Sequence, residues 1–296
     1  MSAVSRIRGL EKKYSMESFY TQLGKSRQLY RKLSIQNKSK TETEKRVLDL
    51  VRAWRIDHPK MGSRSLYRSM EEAGEDLPIG VTAFERLLSR SNLTVGVARR
   101  NGPYTSDGKG RGNYPNLANG LLINDINQIV VADITYYYLV DDWCYLFVLK
   151  DVYSQRLISL LPSRNMKAEN AKLTLEELSK IRGEDMLTNC IHHSDNVSQY
   201  ESTLFRKKLA TLSMRISRAS SCQQNGSSEQ CNHIIKNMYL KNYGIRTFAD
   251  LQYACHKARR LMNTERSVEQ FLVWIRHSFL DILQTRFLLL KPGTMP

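Results

Sequence analysis

Two β-rich runs that follow one another closely constrain the fold more than any other part of the sequence. Residues 129–138 (IVVADITYYY) form the first run and residues 143–149 (WCYLFVL) the second. β-branched and aromatic residues favour strands, and the Asp141-Asp142 pair between the runs favours a turn. The pattern therefore predicts an antiparallel β-hairpin.

Further strand and helix signals follow this hairpin in a regular order. Strands are predicted at 156–161, 186–191 and 214–216, and helices at 166–181, 205–212 and from about Asn225 onward. The order β-β-β-α-β-α-β-α predicts an α/β fold, a ribonuclease-H-like five-stranded mixed sheet with flanking helices. In such sheets ligands bind at strand ends.

The residues before the sheet predict small all-α units of the helix-turn-helix kind. One unit is a helix at 15–23, a turn at Gly24 and a basic helix at 25–33. A polar stretch at 34–43 is expected to separate it from a second unit of three short helices, two of which start at capping boxes (Thr41 to Glu44, Thr82 to Glu85). A helical interaction domain with a solvated basic face remains an alternative for this second unit.

These signals predict five segments along the chain. They are an N-terminal helix-turn-helix-like segment (1–40), a second helix-turn-helix DNA-binding domain (41–96), a basic Gly-rich linker (97–124), the catalytic core (125–245) and a C-terminal helical extension (246–296).

The charge of the chain alternates in sign along its length. The formal net charge is +16; residues 1–120 carry +11, residues 121–205 carry −5 and residues 206–296 carry +10. Basic segments of this kind attract a polyanion through phosphate contacts and counterion release. An acidic centre between them is where a metal ion would neutralise clustered carboxylates.

Three acidic residues stand out in the acidic centre and just after it. Asp133 interrupts the first apolar run, Asp195 follows His192-His193-Ser194, and Glu229 follows Asn225-Gly-Ser-Ser; 61 residues lie between the first two acids and 33 between the last two. Hard divalent cations take oxygen ligands. We expect these three carboxylates to hold two Mg²⁺ ions, with Mn²⁺ as a substitute, for phosphodiester chemistry.

The cysteines and the apolar runs indicate an intracellular protein without a membrane span. Five cysteines are scattered without a CxxC pair or zinc-ligand spacing, and we expect them to be reduced and partly buried. The N-terminal residues show no apolar segment of a signal peptide. The predicted location is therefore the cytoplasm.

Several motifs resemble one known family. They are Asp133-Ile-Thr-Tyr, Asp151-Val-Tyr-Ser-Gln-Arg, His192-His-Ser-Asp-x-x-Ser-Gln-Tyr200, Glu229-x6-Lys236, Lys60-Met-Gly-Ser-Arg64 and Leu23-Gly-Lys-Ser-Arg27. Together they resemble the second-frame catalytic subunit (OrfB) of insertion-sequence-three family transposases, relatives of retroviral integrases with a DDE core. The resemblance extends over nearly the whole chain.

The resemblance implies an enzyme that cleaves the ends of an insertion element and joins each freed 3′-OH to target DNA. Asp133 would bridge both metal ions, and Asp195 and Glu229 would each complete one. The implied partners are double-stranded DNA (the terminal inverted repeats and the target), a first-frame OrfA-type protein, and further copies of the chain assembled on DNA.

Other polar residues receive weaker assignments. Lys236 is expected to contact substrate phosphate, and further DNA contacts are expected from Arg27, Arg64, Arg68, Arg99 and Arg100. The two adjacent histidines and Asp151 are expected to be structural, and Tyr136, Tyr137 and Tyr138 to pack in the core.

Departures from the family pattern leave other functions open. Val197 stands where the family usually has Gly, Gln224 replaces an Asp, and the last interval is 33 rather than 35 residues. The chain is therefore either an active transposase or a decayed or repurposed one that binds element ends without catalysis. A nuclease without joining activity is disfavoured by the N-terminal DNA-binding units.

Overall fold

The computed structural model describes Tyr20, Gly24 and residues 26–96, 114–140, 142–195, 197–219 and 226–266. The chain divides into two compact units, residues 1–53 and 54–296, each of which is described by itself. No helix within the described residues is long and apolar enough to cross a membrane.

The N-terminal half of the described chain is helical, as predicted. The helices are α1 (Arg27–Asp57), α2 (Ser63–Glu72) and α3 (Val81–Arg90). Helices α2 and α3 pack through an edge-to-face contact between Tyr67 and Phe84, whose ring centroids lie 5.3 Å apart. The predicted helix at 15–23 lies outside the described residues except for Tyr20.

The predicted break at residues 34–43 is wrong. Helix α1 runs through this stretch without interruption, so the predicted boundary between residues 40 and 41 falls inside a helix. The stretch is polar but contains neither Gly nor Pro, and its Lys, Gln and Glu residues are good helix formers. The predicted capping boxes are also wrong. Thr41 lies within α1, and α3 starts at Gly80 without a side-chain cap.

The second half of the chain forms a five-stranded mixed sheet, which confirms the predicted ribonuclease-H-like fold. The strands are β1 (Ile129–Leu139), β2 (Asp142–Asp151), β3 (Leu157–Ser163), β4 (Ile191–Ser194) and β5 (Arg215–Arg218), in the spatial order β3-β2-β1-β4-β5. The first three strands are antiparallel, and β4 and β5 run parallel to β1.

Helices cover both faces of the sheet, because alternate residues along each strand point to opposite faces. The elements are α4 (Ala168–Arg182), α5 (Ser198–Glu201), α6 (Thr203–Thr211), α7 (Gly226–His233), a π-helix (Ile234–Tyr239), a short 3₁₀ turn (Leu240–Asn242) and α8 (Phe248–Thr264). One apolar cluster joins the sheet to α4 and α6, and the other joins it to α7, the π-helix and α8.

Two details of the predicted core differ from the structure. The strand expected at 186–191 begins only at Ile191, and Asp185–Leu187 form a 3₁₀ turn. Tyr136 and Tyr138 are more than half exposed and contact the ring of Trp143, so their predicted core role is wrong. Their aromatic contacts are with residues of the neighbouring strand β2, Trp143 for both and Tyr145 for Tyr136.

The cysteines are buried, as the sequence indicates. Cys144, Cys190, Cys231 and Cys255 are free thiols inside the two apolar clusters. Burial raises the pKa of each of them, and for Cys190 and Cys255 the pKa is raised to about 12.

Candidate metal and DNA site

The parallel pairing of β1 and β4 brings Asp133 and Asp195 together. Ala132 of β1 is the register partner of Ser194 of β4, and each is followed directly by an aspartate. Neighbouring strands lie about 4.8 Å apart, so the two carboxylates lie side by side at the point where β4 ends. The structure thus places two of the three predicted acids side by side; the expected strand-end position holds for Asp195, whereas Asp133 lies within β1.

Asp133 is held by two hydrogen bonds. Its Oδ1 accepts from the backbone N–H of Ile134 at 2.8 Å, and its Oδ2 accepts from Nδ2 of Asn232 on α7. Burial, followed by the nearby charge of Asp195, raises the pKa of Asp133 from 3.8 to about 6. The two hydrogen bonds and the charge of Lys236 lower the pKa by smaller amounts. The positive charge near Asp133 therefore does not offset its burial and the neighbouring charge of Asp195.

The raised pKa of Asp133 predicts how the metal-free protein responds to pH. A carboxyl group whose pKa is higher in the folded than in the unfolded chain stabilises the fold at low pH, and this contribution is lost as pH rises through about 6. Between pH 5 and pH 7 the free energy of unfolding should fall by about 1 kcal/mol, allowing for partial exposure. Chemical denaturation in EDTA measures it.

The matched control for this pH effect is Asp133→Asn, which removes the titrating group but keeps the shape. The difference between wild type and variant should shrink towards pH 5, and Mg²⁺ should raise the stability of the wild type at pH 7 because metal and protons compete for the same oxygens. Equal pH dependence in the two proteins would show that Asp133 titrates normally.

The helix that follows β5 supplies the other polar groups of the site. Asn232 is buried and contacts Asp133, and Lys236, in the π-helix, lies close enough to Asp133 for their charges to interact. Burial lowers the pKa of Lys236 and the charge of Asp133 raises it. Single-turn π segments inside helices often occur at functional sites.

Glu229 is placed differently from the two aspartates. It lies in the first turn of α7, three residues before Asn232, and its side chain is exposed. Within the described residues no group of three His, Cys, Asp or Glu side chains is arranged to hold a metal ion. The structure thus brings Asp133, Asp195, Asn232 and Lys236 together, and it does not add Glu229 to them.

The oxygens at the site nevertheless suit Mg²⁺. Asp133 and Asp195 offer carboxylate oxygens, and the buried Oδ1 of Asn232 has no hydrogen-bond partner in the described part of the chain. Mg²⁺ prefers hard oxygen ligands of this kind. One of the two carboxylates, that of Asp133, has a raised pKa. Asn232 was not among the site residues predicted from the sequence, although its spacing from Glu229 and Lys236 puts it on their helix face.

The histidines beside Asp195 are buried, in agreement with their predicted structural role. Nδ1 of His193 shares a hydrogen bond of 2.8 Å with Oγ of Ser217. The ring of His192 packs between Tyr200 and Phe205, with centroids at 5.3 and 5.0 Å. Burial, with smaller contributions from Arg218 and His193, lowers the pKa of His192 to about 3, so this ring stays neutral.

Asp151 is also structural, as predicted. It is fully buried at the end of β2, where Oδ1 accepts from both the N–H and the hydroxyl of Ser154 at 2.7 Å, and Oδ2 accepts from the N–H of Asn127 at 2.9 Å. Oδ1 thus holds the turn between β2 and β3, and Oδ2 holds the segment that leads into β1.

A buried lysine supports the start of α7. Lys150 of β2 is only 2% exposed, and its Nζ donates to Oγ of Ser227 at 3.2 Å. Burial lowers its pKa to about 8. Lys150 was not predicted as a site residue because it lies at the end of an apolar run.

The structure describes three of the arginines predicted to contact DNA, and it also describes Val197, where the sequence departs from the family pattern. Arg27 is exposed on α1, Arg64 forms a two-point ion pair with Glu85 at 3.0 and 3.1 Å, and Arg68 is partly exposed on α2. Arg99, Arg100 and Gln224 lie outside the described residues. Val197 has a φ angle of −97°, so valine is not strained there.

Comparison with known proteins finds one matching family model and one insertion-element relative. The family model described as "Integrase core domain" matches residues 124–222, a span that contains Asp133 and Asp195 but ends before Glu229. The "Insertion element IS600 uncharacterized 31 kDa protein" of Shigella sonnei is 28% identical over 185 residues, which cover 62% of this chain and 66% of the relative. The match thus spans slightly less than two thirds of that relative.

Solved structures of viral integrase cores are similar to the chain at low identity. The HTLV-2 integrase catalytic core domain in complex with magnesium is 21% identical, with a TM-score of 0.38, over 47% of this chain and 87% of that one. The BIV integrase catalytic core domain is 15% identical, with a TM-score of 0.39, over 52% of this chain and 99% of that one. The chain is thus similar to integrase core domains and to an insertion-element protein.

Proposed function

We propose that the chain is the second-frame catalytic subunit of an insertion-sequence-three family element, a DDE transposase. It would cleave the element ends to free a 3′-OH and join that 3′-OH to target DNA. The observation that carries the proposal is the pair of adjacent carboxylates, Asp133 and Asp195, at one strand end, with a raised pKa on Asp133 and an amide and a lysine beside them.

In this proposal Asp133, Asp195 and Glu229 hold two Mg²⁺ ions. Bound there, the metal pair would activate the attacking oxygen and neutralise charge on the leaving oxygen. Asp133 is oriented by Ile134 N–H and by Asn232, so its oxygens are fixed before substrate binds. Glu229 is assigned as the third carboxylate from its motif; it lies in α7 three residues before Asn232, with its side chain exposed.

The cationic groups would bind the DNA backbone. Lys236 faces the carboxylate pair from the π-helix and would contact the phosphate nearest the reaction. Arg27, Arg68, Arg99 and Arg100 would add phosphate contacts that position the DNA without reading its sequence. Arg64 would have to leave Glu85, with which it forms an exposed ion pair of small energy.

The reaction itself suggests the partners. Two element ends must be joined to one target, so we propose that several copies of the chain assemble on DNA. An OrfA-type first-frame protein would add recognition of the terminal repeats. These assemblies would form in the bacterial cytoplasm, at the nucleoid.

A strand-transfer assay tests the proposed function. Labelled DNA carrying the inverted repeats that flank the gene is incubated with the full chain and its first-frame partner, in Mg²⁺ or Mn²⁺, beside Asp195→Asn. We expect 3′-end cleavage and joined products with wild type and neither with the variant. Tight end binding without cleavage in either metal would contradict the proposal.

That contrary result would identify the alternative, a DNA-binding protein derived from a transposase. The exposed position of Glu229, away from the two aspartates, is the observation that favours it. Adding Mn²⁺ at rising concentration separates the two, because an active enzyme should gain cleavage with metal whereas a binding protein should not.

A further inference from the structure

Arg218 ends β5 and is almost completely buried, at 2% exposure. Its guanidinium donates from Nε to Oε1 of Glu201 at 2.9 Å, from one terminal nitrogen to Oγ of Ser194 at 2.9 Å, and from the other to the carbonyl oxygen of Tyr200 at 3.0 Å. One face of the guanidinium also lies 5.4 Å from the centroid of the Tyr114 ring. Few surface arginines are satisfied in this way.

These contacts join the two ends of the segment that carries Asp195. Ser194 is the residue directly before Asp195, and Tyr200 and Glu201 lie five and six residues after it. The backbone adds a further link, because the N–H of Ala219 donates to the carbonyl oxygen of Ser194 at 3.1 Å. One side chain thus links the residue before Asp195 to two residues that follow it in the sequence.

The chemistry of the guanidinium suits this role better than that of an ammonium group. Three hydrogen bonds leave it in three directions in one plane, which a lysine, a point charge on a flexible stem, cannot reproduce. Its charge is matched by Glu201 at 2.9 Å. The contacts of Arg218 go to Ser194, Tyr200 and Glu201, on both sides of Asp195 in the sequence, so they bear on where the Asp195 backbone lies.

We propose that Arg218 is a positioning residue that fixes Asp195 beside Asp133 and thereby sets the metal affinity of the pair. This inference rests on the proposed function, since it assumes that the two aspartates bind a divalent cation. Groups that orient metal ligands without touching the metal typically change metal affinity by about 10- to 100-fold when replaced.

Titration of the full chain with Mn²⁺, followed by calorimetry, tests the role of Arg218 without any DNA. Arg218→Lys keeps the charge but not the three directions, and we expect its Mn²⁺ affinity to fall about 10-fold or more. Ser194→Ala removes only the contact next to Asp195 and should give a smaller loss in the same direction. Arg259→Lys alters another Arg–Glu pair, with Glu177, and should bind Mn²⁺ as wild type does.

A second readout separates positioning from a general loss of structure. Strand transfer by Arg218→Lys should recover as Mn²⁺ is raised, whereas Asp195→Asn should not recover. Circular dichroism gives the folded fraction, and if Arg218→Lys does not fold, Ser194→Ala decides. Mn²⁺ affinity within about twofold of wild type in the folded variants would overturn the positioning role. Absence of Mn²⁺ binding to wild type would instead overturn the proposed function.

Discussion

Asp133→Asn is expected to lower the rate of strand transfer at least about 1000-fold while leaving DNA affinity unchanged or slightly higher. Charge neutralisation by metal is worth several kcal/mol in such reactions, and each loss of roughly 1.36 kcal/mol lowers a rate tenfold. Asparagine preserves the volume and one oxygen but removes the charge. Single-turnover kinetics on pre-cleaved ends measure the rate, and fluorescence anisotropy measures DNA affinity.

The control for this variant is Asp142→Asn, which changes an exposed carboxylate at the start of the neighbouring strand. It should retain the wild-type rate, because its side chain bonds only to the adjacent Trp143 N–H among the hydrogen bonds of the described chain. Loss of DNA binding in Asp133→Asn, in parallel with loss of rate, would count against a purely chemical role for Asp133.

Asp151→Ala is expected to lower the free energy of unfolding by about 3 kcal/mol. The substitution leaves three donors, the N–H of Asn127 and both the N–H and hydroxyl of Ser154, without their acceptor in a buried turn. Each buried group left without a hydrogen-bond partner costs about 1–3 kcal/mol, and partial relaxation or water entry recovers some of this. Urea denaturation followed by tryptophan fluorescence measures the change.

Asp142→Ala is the matched control, since it removes an exposed carboxylate from the other end of the same strand. Its effect on stability should stay within about 0.5 kcal/mol. Near-normal stability of Asp151→Ala together with weaker Mn²⁺ binding would mean that Asp151, and not its turn, serves the metal site.

The sheet and its acidic pair could be predicted because their signals are local. Strand β1 reads as an apolar β-branched run, and the hairpin turn follows from Asp141-Asp142. Asp133 and Asp195 were expected to meet from their motifs; the pairing of β1 with β4 that brings them together is seen only in the structure. Leu251, Ala254, Ala258 and Leu261 recur at helical spacing in the sequence, and these residues are buried in α8.

The parts that could not be predicted depend on contacts between distant residues. Arg218 and Asn232 look like ordinary polar residues in the sequence, and only the packing of β5 and α7 onto the sheet directs them to Ser194 and Asp133. The predicted division of helix α1 is wrong because a polar stretch without Gly or Pro does not by itself interrupt a helix. The position of Glu229 depends on the start of α7, to which Lys150 contributes through Ser227.

The order in which the four buried thiols react can distinguish local opening of the fold from complete unfolding. With raised pKa values and no access to solvent, Cys144, Cys190, Cys231 and Cys255 are shielded from alkylating reagents while the fold is closed. Among these four described cysteines, only Cys231 lies on the helix that carries Glu229 and Asn232, and Cys222 lies outside the described residues. If Cys231 is modified before the other three, that helix has separated from the sheet while the rest of the fold stays closed. If all four are modified at the same rate, the whole fold has opened.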